Sequence, residues 1–348
     1  MRKLTRRIYA GSVAIGGGAP VSIQSMLNTP TTDVEASLQQ ISRLAAAGCQ
    51  LVRLAVPDRA AAAGFAEIAA GSSLPLVADI HFDHRLALLA AEGGAKKIRI
   101  NPGNIGDEGK VRAVADCCRE RGIPIRIGVN GGSLEKRLLE KYGHPTPEAL
   151  VESAFSHMEL LDKCGFTDIC VSMKSSSVPL TVQAYRLFSE KSDVPLHLGV
   201  TETGSVYMGT VKSAMGIGGL LCLGIGDTIR VSLTADPVEE IYAAKAILKA
   251  AGVRKEGVNL ISCPTCGRTK IDLIGLVDRV EKALSDCEKP ITVAVMGCVV
   301  NGPGEAREAD VGIAGGDDCG MLFAKGKQLG VYPYDQLLDA LLSYIDTL

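Results

Sequence analysis

The sequence contains no tryptophan, and aromatic residues make up only 4% of its 348 residues. Proteins that bind single-stranded nucleic acid stack bases on aromatic side chains, so this composition argues against such a surface. An excess of one charge is also lacking, because 37 Lys and Arg face 39 Asp and Glu. Neither nucleic acid nor a membrane surface is therefore a predicted partner, and any anion must be bound by a few placed cations.

Long apolar runs are missing as well. The longest stretches, such as residues 219–225, are too short to span a bilayer. The basic start of the chain is followed by a glycine-rich stretch over residues 10–20 rather than by the apolar segment of a secretory signal. Eleven cysteines without such a signal indicate a reducing compartment, where thiols stay free or bind metal. The sequence therefore predicts a soluble cytoplasmic protein.

Short apolar runs alternate with longer amphipathic segments through about the first 250 residues. The amphipathic segments begin at cap residues such as Asp33, Asp58, Asp83 and Asp236, which is typical of helices. Alternating strands and helices predict a parallel sheet, and eight such units predict a closed (β/α)₈ TIM barrel. An open doubly wound sheet is the alternative, although no G-x-G-x-x-G follows the first strand. The eight predicted strands are 21–26, 51–55, 76–81, 97–101, 125–129, 168–172, 196–201 and 229–233.

The pattern changes after this repeat. Residues 253–257 predict a linker between a TIM-barrel substrate-binding domain, 1–252, and a small α+β domain, 258–348. Strands are predicted in the small domain at 258–262, 291–297, 311–314 and 321–324. Helices are predicted there at 269–284 and 333–345. About 90 residues of this character suit a small metal-carrying domain.

Polar or charged side chains stand near the end of every predicted barrel strand, where TIM-barrel active sites are built. Four of them are cations from separate strands, namely Arg53, Arg99, Arg126 and Lys174. Guanidinium groups match phosphate oxygens bidentately and lysine adds a point charge, so the pattern predicts a phosphorylated substrate, best a diphosphate. A rim salt bridge is the alternative for any single arginine. The other polar strand ends include Asp79, His81, Asn130, Glu202 and Ser232.

A cysteine pattern follows the linker. Cys263 and Cys266 form a C-x-x-C pair, Cys298 lies further along, and Glu305 follows in a Gly-Pro-Gly loop. Three soft thiolates with one exchangeable carboxylate select zinc or an iron–sulfur cluster. Because Cys287 and Cys319 are spare thiols, a Cys₄ zinc ribbon that uses one of them is an open alternative.

Seven strings together resemble the 4-hydroxy-3-methylbut-2-enyl diphosphate synthase family of the non-mevalonate isoprenoid pathway. The resemblance covers nearly the whole chain, in the compact bacterial form of two domains. The strings are PVSIQSM (20–26), ADIHF (78–82), RINPGN (99–104), RIGVNGGSL (126–134), HLGVTE (197–202), SCPTCGR (262–268) and MGCVVNGPGE (296–305).

The resemblance implies a [4Fe–4S] cluster held by Cys263, Cys266 and Cys298, with Glu305 on the fourth iron. It implies that 2-C-methyl-D-erythritol 2,4-cyclodiphosphate is opened and loses a hydroxyl in a two-electron reduction. Flavodoxin or ferredoxin would supply the electrons. Similar enzymes form head-to-tail homodimers in which each cluster domain caps the partner's barrel.

The residue types suit this chemistry. Arg53, Arg99, Arg126 and Lys174 would clamp the phosphates with help from Ser232, while Asn130 would orient a hydroxyl. Glu305 is predicted to leave the metal so that a substrate oxygen takes its place. The predicted proton donor to the departing oxygen is Glu202, with Asp79 and His81 as alternates.

Two other classes remain open. One is a non-redox TIM-barrel enzyme of a phosphorylated or pterin substrate with a structural zinc tail. The other is a zinc-ribbon binding module on a barrel scaffold, which the acidic pI of about 6.2 and the scarce aromatics disfavour. Analysis of iron, sulfide and zinc in the purified protein separates these classes.

Overall fold

The computed structural model describes residues 2–255, 257–285, 287–299, 304 and 306–348. Within these residues the chain forms two compact units, Met1–Arg254 and Lys255–Leu348. The division falls inside the predicted linker 253–257. None of the helices in the described part of the chain combines the length and the apolarity needed to cross a membrane.

The first unit is built on eight parallel strands. Val171, on β8, forms an isolated parallel bridge to Leu196, just before β9, and this bridge joins the two ends of the sheet into a nearly closed barrel. The predicted TIM barrel is confirmed, and the open doubly wound alternative is wrong. The strands, in the order in which they pair, are β8 (Ile169–Lys174), β7 (Ile125–Asn130), β6 (Lys97–Ile100), β5 (Leu76–Asp79), β4 (Leu51–Ala55), β3 (Ser22–Met26), β10 (Thr228–Ile229) and β9 (His197–Leu198).

Helices follow the strands, and the caps predicted for them are confirmed. Side chains of Asp33, Asp58, Asp83 and Asp236 each accept a backbone N–H of the first helical turn. The helices are α1 (Val34–Ala46), α2 (Arg59–Gly71), α3 (His84–Glu92), α4 (Pro102–Ile105), α5 (Glu108–Glu120), α6 (Lys136–Tyr142), α7 (Pro147–Asp162), α8 (Val178–Lys191), α9 (Val206–Ser213), α10 (Gly219–Cys222) and α11 (Pro237–Ala250).

An N-terminal hairpin that the sequence did not predict closes one end of the barrel. Its strands are β1 (Ile8–Ala10) and β2 (Val13–Ile15), which pair antiparallel. The buried side chains of the hairpin pack against the N-terminal ends of the barrel strands, so that end is filled with apolar groups. The cluster consists of Ile8, Ala10, Ile15, Leu51, Val77 and Cys170.

The second unit is a five-stranded sheet in the order β11 to β15. Three parallel strands, β11 (Asn259–Ser262), β12 (Thr292–Met296) and β13 (Val311–Gly315), are followed by two antiparallel ones, β14 (Cys319–Ala324) and β15 (Lys327–Pro333). The helices α12 (Leu273–Ala283) and α13 (Leu337–Asp346) contribute to its core. The predicted α+β character is confirmed. Pro333 was predicted to begin the last helix, but it ends β15, a strand that the sequence analysis missed.

Candidate functional site

The barrel interior is lined by charge. Arg53 on β4, Asp79 on β5, Arg99 on β6, Arg126 on β7 and Lys174 on β8 are all buried. Asp79 pairs in register with Arg99, and Arg99 with Arg126, so neighbouring strands place these side chains side by side. Because alternate residues of a barrel strand face inward, the four predicted cations share one interior with one carboxylate.

Asp79 is the counter-ion of this cluster. Its carboxylate lies 3.2 Å from Arg99 Nη1, 3.7 Å from Arg53 Nε and 3.6 Å from His81 Nε2. Burial alone would raise the pKa of Asp79, but the charges of Arg53 and Arg99 and the nearby His81 side chain outweigh burial and hold the pKa well below its usual range. This position between two guanidinium groups is typical of a counter-ion. The sequence analysis missed this role.

Two other cations, Arg126 and Lys174, have no anionic partner among the described residues. Arg126 Nη1 donates to Ser172 Oγ at 2.7 Å, whereas its Nε and Nη2 have no partner among the described residues. Burial, with the nearby charges of Arg53 and Arg99, lowers the pKa of Arg126 to about 9. Burial likewise lowers the pKa of Lys174 well below its ordinary value. An anion bound beside Arg126 and Lys174 would offset the free-energy cost of burying each positive charge.

Two glycines make room for the cations. A Cβ atom at Gly128 would lie 2.4 Å from Arg99 Nε, and one at Gly199 would lie 2.8 Å from Lys174 Nζ. Any larger residue at either position would displace a charged group. Asn130 joins the same cluster, since its side-chain oxygen, in the amide orientation that satisfies both neighbours, accepts from Arg99 Nη2 at 3.2 Å.

The remaining predicted site residues lie after the strand ends. Glu202 follows β9 with a φ of 54°, a left-handed conformation that is uncommon for a residue with a side chain and frequent at functional sites. Ser232 follows β10, and its carbonyl accepts a hydrogen bond from Thr203 Oγ1. His81 follows β5 and is half-exposed. The structure thus gathers the phosphate-binding candidates closely, and Glu202 and Ser232 stand at the ends of the next strands around the barrel.

A fifth interior cation, Lys97, lies near the closed end of the barrel and gives a stability prediction. Its ammonium group is buried and has no partner among the described residues. Burial, reinforced by Arg126 and Arg53, lowers its pKa to about 7. The unfolded chain therefore binds more protons at this lysine between about pH 7 and pH 10, so this group makes stability rise with pH there.

We expect Lys97→Met to raise the free energy of unfolding by roughly 2–4 kcal/mol at pH 7, because an unpaired buried cation is replaced by an apolar chain. The gain should shrink as pH approaches 10. Urea unfolding between pH 7 and pH 10 measures both effects. Lys96→Met, at the exposed neighbouring position, is the control and should change little. Equal stability of wild type and Lys97→Met at pH 7 would contradict the prediction.

In the second unit, the cysteine turn is fixed against the end of β12. The Gly297 N–H donates to Cys263 Sγ at 3.2 Å, and the Lys270 N–H donates to the Gly297 carbonyl at 2.9 Å. A side chain at position 297 would come within 3.0 Å of Thr269 Cγ2, so glycine permits this approach. Gly297 directly precedes Cys298, and the C-x-x-C turn is therefore held beside the third cysteine.

The three cysteines share one edge of the small sheet. Strands β11 and β12 are parallel neighbours, and Cys263 and Cys298 follow their C-terminal ends. Cys266 is exposed, and a hydrogen bond from the Arg268 backbone lowers the pKa of its thiol, which favours the thiolate.

The fit to a metal centre rests on the donor set and on its place in the fold. Cys263 and Cys266 both accept backbone N–H groups, and hydrogen bonds of this kind surround the thiolates of iron–sulfur clusters. Among the described residues, no three His, Cys, Asp or Glu side chains stand close enough together to hold a metal ion as placed. The fourth predicted ligand, Glu305, lies outside the described residues.

The two spare thiols occupy opposite ends of this sheet. Cys287 precedes the first residue of β12, so about 15 Å of strand separates it from Cys298. Cys319 begins β14, and its carbonyl accepts from the Gly316 N–H at 2.7 Å, in the hairpin that follows β13 at the edge where Cys298 lies. A Cys₄ site that uses Cys287 is incompatible with this topology, whereas one that uses Cys319 is compatible.

The chain is a TIM-barrel protein of the class that carries a separate cysteine-bearing domain. Its parallel barrel has cations at the strand ends, and its small sheet has thiols at one edge. The chain belongs to the GcpE family: the GcpE TIM-barrel domain matches residues 5–245, and the GcpE protein C-terminal domain matches residues 259–347. The family resemblance seen in the sequence is confirmed.

Relatives of similar length share more than half of its residues. The 4-hydroxy-3-methylbut-2-en-1-yl diphosphate synthase (flavodoxin) of Caldanaerobacter subterraneus subsp. tengcongensis is 59% identical, over 99% of this chain and 98% of the relative. The proteins of the same name from Clostridium perfringens and Bacillus subtilis are 58% and 55% identical, over 100% of this chain and 99% and 92% of their own.

Solved structures show the likeness of the fold alone. The N-acetylneuraminic acid synthetase of Leptospira borgpetersenii serovar Hardjo-bovis superposes with a TM-score of 0.52 at 14% identity, over 82% of this chain and 100% of that one. A truncated 3-deoxy-D-arabino-heptulosonate 7-phosphate synthase from Thermotoga maritima gives 0.52 at 15% identity, over 72% and 95%.

Proposed function

We propose that this chain reduces 2-C-methyl-D-erythritol 2,4-cyclodiphosphate to 4-hydroxy-3-methylbut-2-en-1-yl diphosphate, with electrons from a flavodoxin or a ferredoxin. The observation that carries the proposal is a pair of buried cations inside the barrel, Arg126 and Lys174, neither of which forms an ion pair with a described residue. The relatives of this chain bear the name of this product. The printed name of those relatives also supports flavodoxin as the donor.

The diphosphate would bind where the positive charge is concentrated. Arg126 offers two donors that have no partner among the described residues, Lys174 adds a buried ammonium group, and Asp79 orients Arg53 and Arg99. Groups held in place before the ligand arrives need little reorganisation, so they select the anion at low cost. Asn130, bonded to Arg99, would orient a substrate hydroxyl.

We propose that residues 1–252 form the substrate domain and residues 258–348 the cluster domain. Cys263, Cys266 and Cys298, with Glu305, would hold a [4Fe–4S] cluster. Such a cluster supplies electrons one at a time, which side chains cannot store. The Gly297 N–H on Cys263 Sγ would stabilise the thiolate in this role.

The departing hydroxyl needs a proton, and Glu202 is the proposed donor because Asp79 is kept ionised. Glu202→Gln should retain iron, sulfide and the visible spectrum while kcat falls by about 100-fold or more. Anaerobic turnover with a chemical reductant measures kcat. Glu190→Gln, at an exposed position on α8, is the control. A Glu202→Gln variant that turns over at the normal rate would remove Glu202 from the proton-donor role.

The direct test of the function is anaerobic incubation of the purified protein with the cyclic diphosphate and reduced flavodoxin. Appearance of the allylic diphosphate, with iron and sulfide in the protein, supports the proposal. Zinc in place of iron, and no consumption of reductant, would support the alternative non-redox barrel enzyme with a structural zinc tail.

We further propose that the protein acts as a cytoplasmic homodimer. None of the eleven cysteines forms a disulfide, which suits a reducing compartment. Sedimentation equilibrium of the anaerobic protein tests the dimer, and a mass of 36.5 kDa at micromolar concentration would contradict it.

A further inference from the structure

Glu240 is a buried acid outside the cation cluster described above. It lies in the first turn of α11 and is only 4% exposed. Its Oε1 atom accepts from the Leu233 N–H at 3.0 Å and from Arg230 Nη2 at 3.3 Å, and its Oε2 atom accepts from Ser25 Oγ at 3.3 Å. Buried carboxylates persist where they are bonded in this way. One side chain therefore connects β3, the end of β10 and the loop that follows β10.

Arg230 is a further cation of the barrel mouth. It follows Ile229, the last residue of β10, and is mostly buried. Its charge acts, after burial, to lower the pKa of both Arg53 and Lys174, which places it within electrostatic range of the proposed phosphate site. Its Nε atom has no partner in the described part of the chain, so it retains a donor for a ligand.

The loop after Arg230 is held on both sides. Glu240 binds the Leu233 N–H, and Thr203 donates to the carbonyl of Ser232. Both bonds hold one peptide group, the one that joins Ser232 to Leu233. This arrangement fixes the direction of a residue proposed to contact phosphate.

We propose that Glu240 is a positioning residue for the substrate's diphosphate. Its carboxylate holds Arg230 and the backbone around Ser232 toward the anion. The inference rests on the proposed function for the identity of that anion. Glu240 itself touches no substrate, because its carboxylate is occupied by three protein donors.

Loss of the Glu240 carboxylate should weaken diphosphate binding, because of the charges around Arg230. Without a carboxylate at position 240, repulsion from Arg53 and Lys174 favours rotamers in which the Arg230 guanidinium turns toward solvent. A ligand must then pull it back and restrict a long side chain, which costs affinity. Glutamine at this position keeps the size of the side chain and an acceptor for the Leu233 N–H, so the fold is retained.

Glu240→Gln tests the proposal. Binding of inorganic pyrophosphate, measured by calorimetry, should weaken about tenfold, and KM for the cyclic diphosphate should rise by a similar factor. We expect kcat to stay within about threefold, since Glu240 acts on binding rather than on the chemical step. Iron content should be unchanged. Glu239→Gln, an exposed acid on the same helical turn, is the matched control and should behave as wild type.

A double-mutant cycle shows whether Glu240 acts through Arg230. Arg230→Met keeps the bonds from Glu240 to Leu233 and Ser25, and should weaken pyrophosphate binding at least as much as Glu240→Gln. The double variant should bind as Arg230→Met does, because the effect of Glu240 requires the arginine. Additive losses would assign Glu240 a merely structural role. Unchanged or tighter pyrophosphate binding in Glu240→Gln would overturn the proposal.

The pyrophosphate measurement separates this inference from the proposed function. A wild-type protein that binds pyrophosphate but leaves the cyclic diphosphate unreduced refutes the function alone. A wild-type protein that reduces the cyclic diphosphate, with normal pyrophosphate binding in Glu240→Gln, refutes the positioning role alone.

Discussion

Replacing Cys298 with serine should yield colourless protein that lacks bound iron and sulfide and has lost at least about 1,000-fold in activity. Cys298 is buried at the end of β12, beside the fixed turn of Cys263. Serine fits the same space, so the fold should persist, but its hydroxyl is a far weaker ligand for iron than a thiolate. Metal and sulfide analysis of anaerobically purified protein, with its visible spectrum, measures the loss.

The spare thiols provide controls that also test the zinc alternative. Cys287→Ser should keep full iron content, because Cys287 lies at the opposite end of the small sheet from Cys298. Cys319→Ser should keep it too, although Cys319 lies at the same edge. Loss of the metal in Cys319→Ser, with zinc in the wild type, would replace the cluster proposal by a Cys₄ zinc site.

Arg126→Met should weaken binding of the cyclic diphosphate by about 100-fold or more, because it removes two charge-assisted hydrogen-bond donors. These donors, Nε and Nη2, are buried without a partner among the described residues. Methionine keeps much of the volume of the side chain and leaves no cation to bury. Calorimetry with the cyclic diphosphate or with pyrophosphate measures the change, and the cluster's spectrum should be unaffected.

Lys97→Met is the matched control for this experiment when binding is measured at about pH 6, below the lowered pKa of Lys97, because it then also removes one buried positive charge from the barrel interior. If binding depends on the position of the Arg126 guanidinium, Lys97→Met should change the affinity for the cyclic diphosphate by less than about threefold. Equal losses of affinity in both variants would show that binding depends on the total charge of the barrel interior. Arg126 would then have no specific role.

Much of the fold can be predicted from the sequence, because a regular alternation of strands and helices is compatible with few fold classes. Asp58 and Asp236 cap helices as predicted, since a side-chain oxygen ahead of an amphipathic run has few other uses. The hairpin β1–β2 was missed because strands of three residues carry too little periodicity to be recognised. Strand β15 was missed because only its turn residues, Lys325 and Gly326, mark it, and its side chains are largely exposed.

The candidate site is readable to a smaller extent. The position of Arg99 and Arg126 follows from their place at the ends of parallel strands, but the sequence does not show which charges pair. Asp79 was therefore taken as an alternate proton donor, whereas the structure places it between two guanidinium groups. Gly128 and Gly199 were the available signal, because a strand glycine indicates close approach of another group.

The hairpin β1–β2 seals the barrel at the end away from the polar strand termini. With that end filled by apolar groups, a substrate and its product would both pass at the opposite end, where the polar strand termini lie. A diphosphate product that dissociates slowly would block binding of the next substrate molecule. Product release would then limit the rate of turnover. Slow departure of an allylic diphosphate would appear in pre-steady-state traces as a burst of one product per active site, followed by slower turnover.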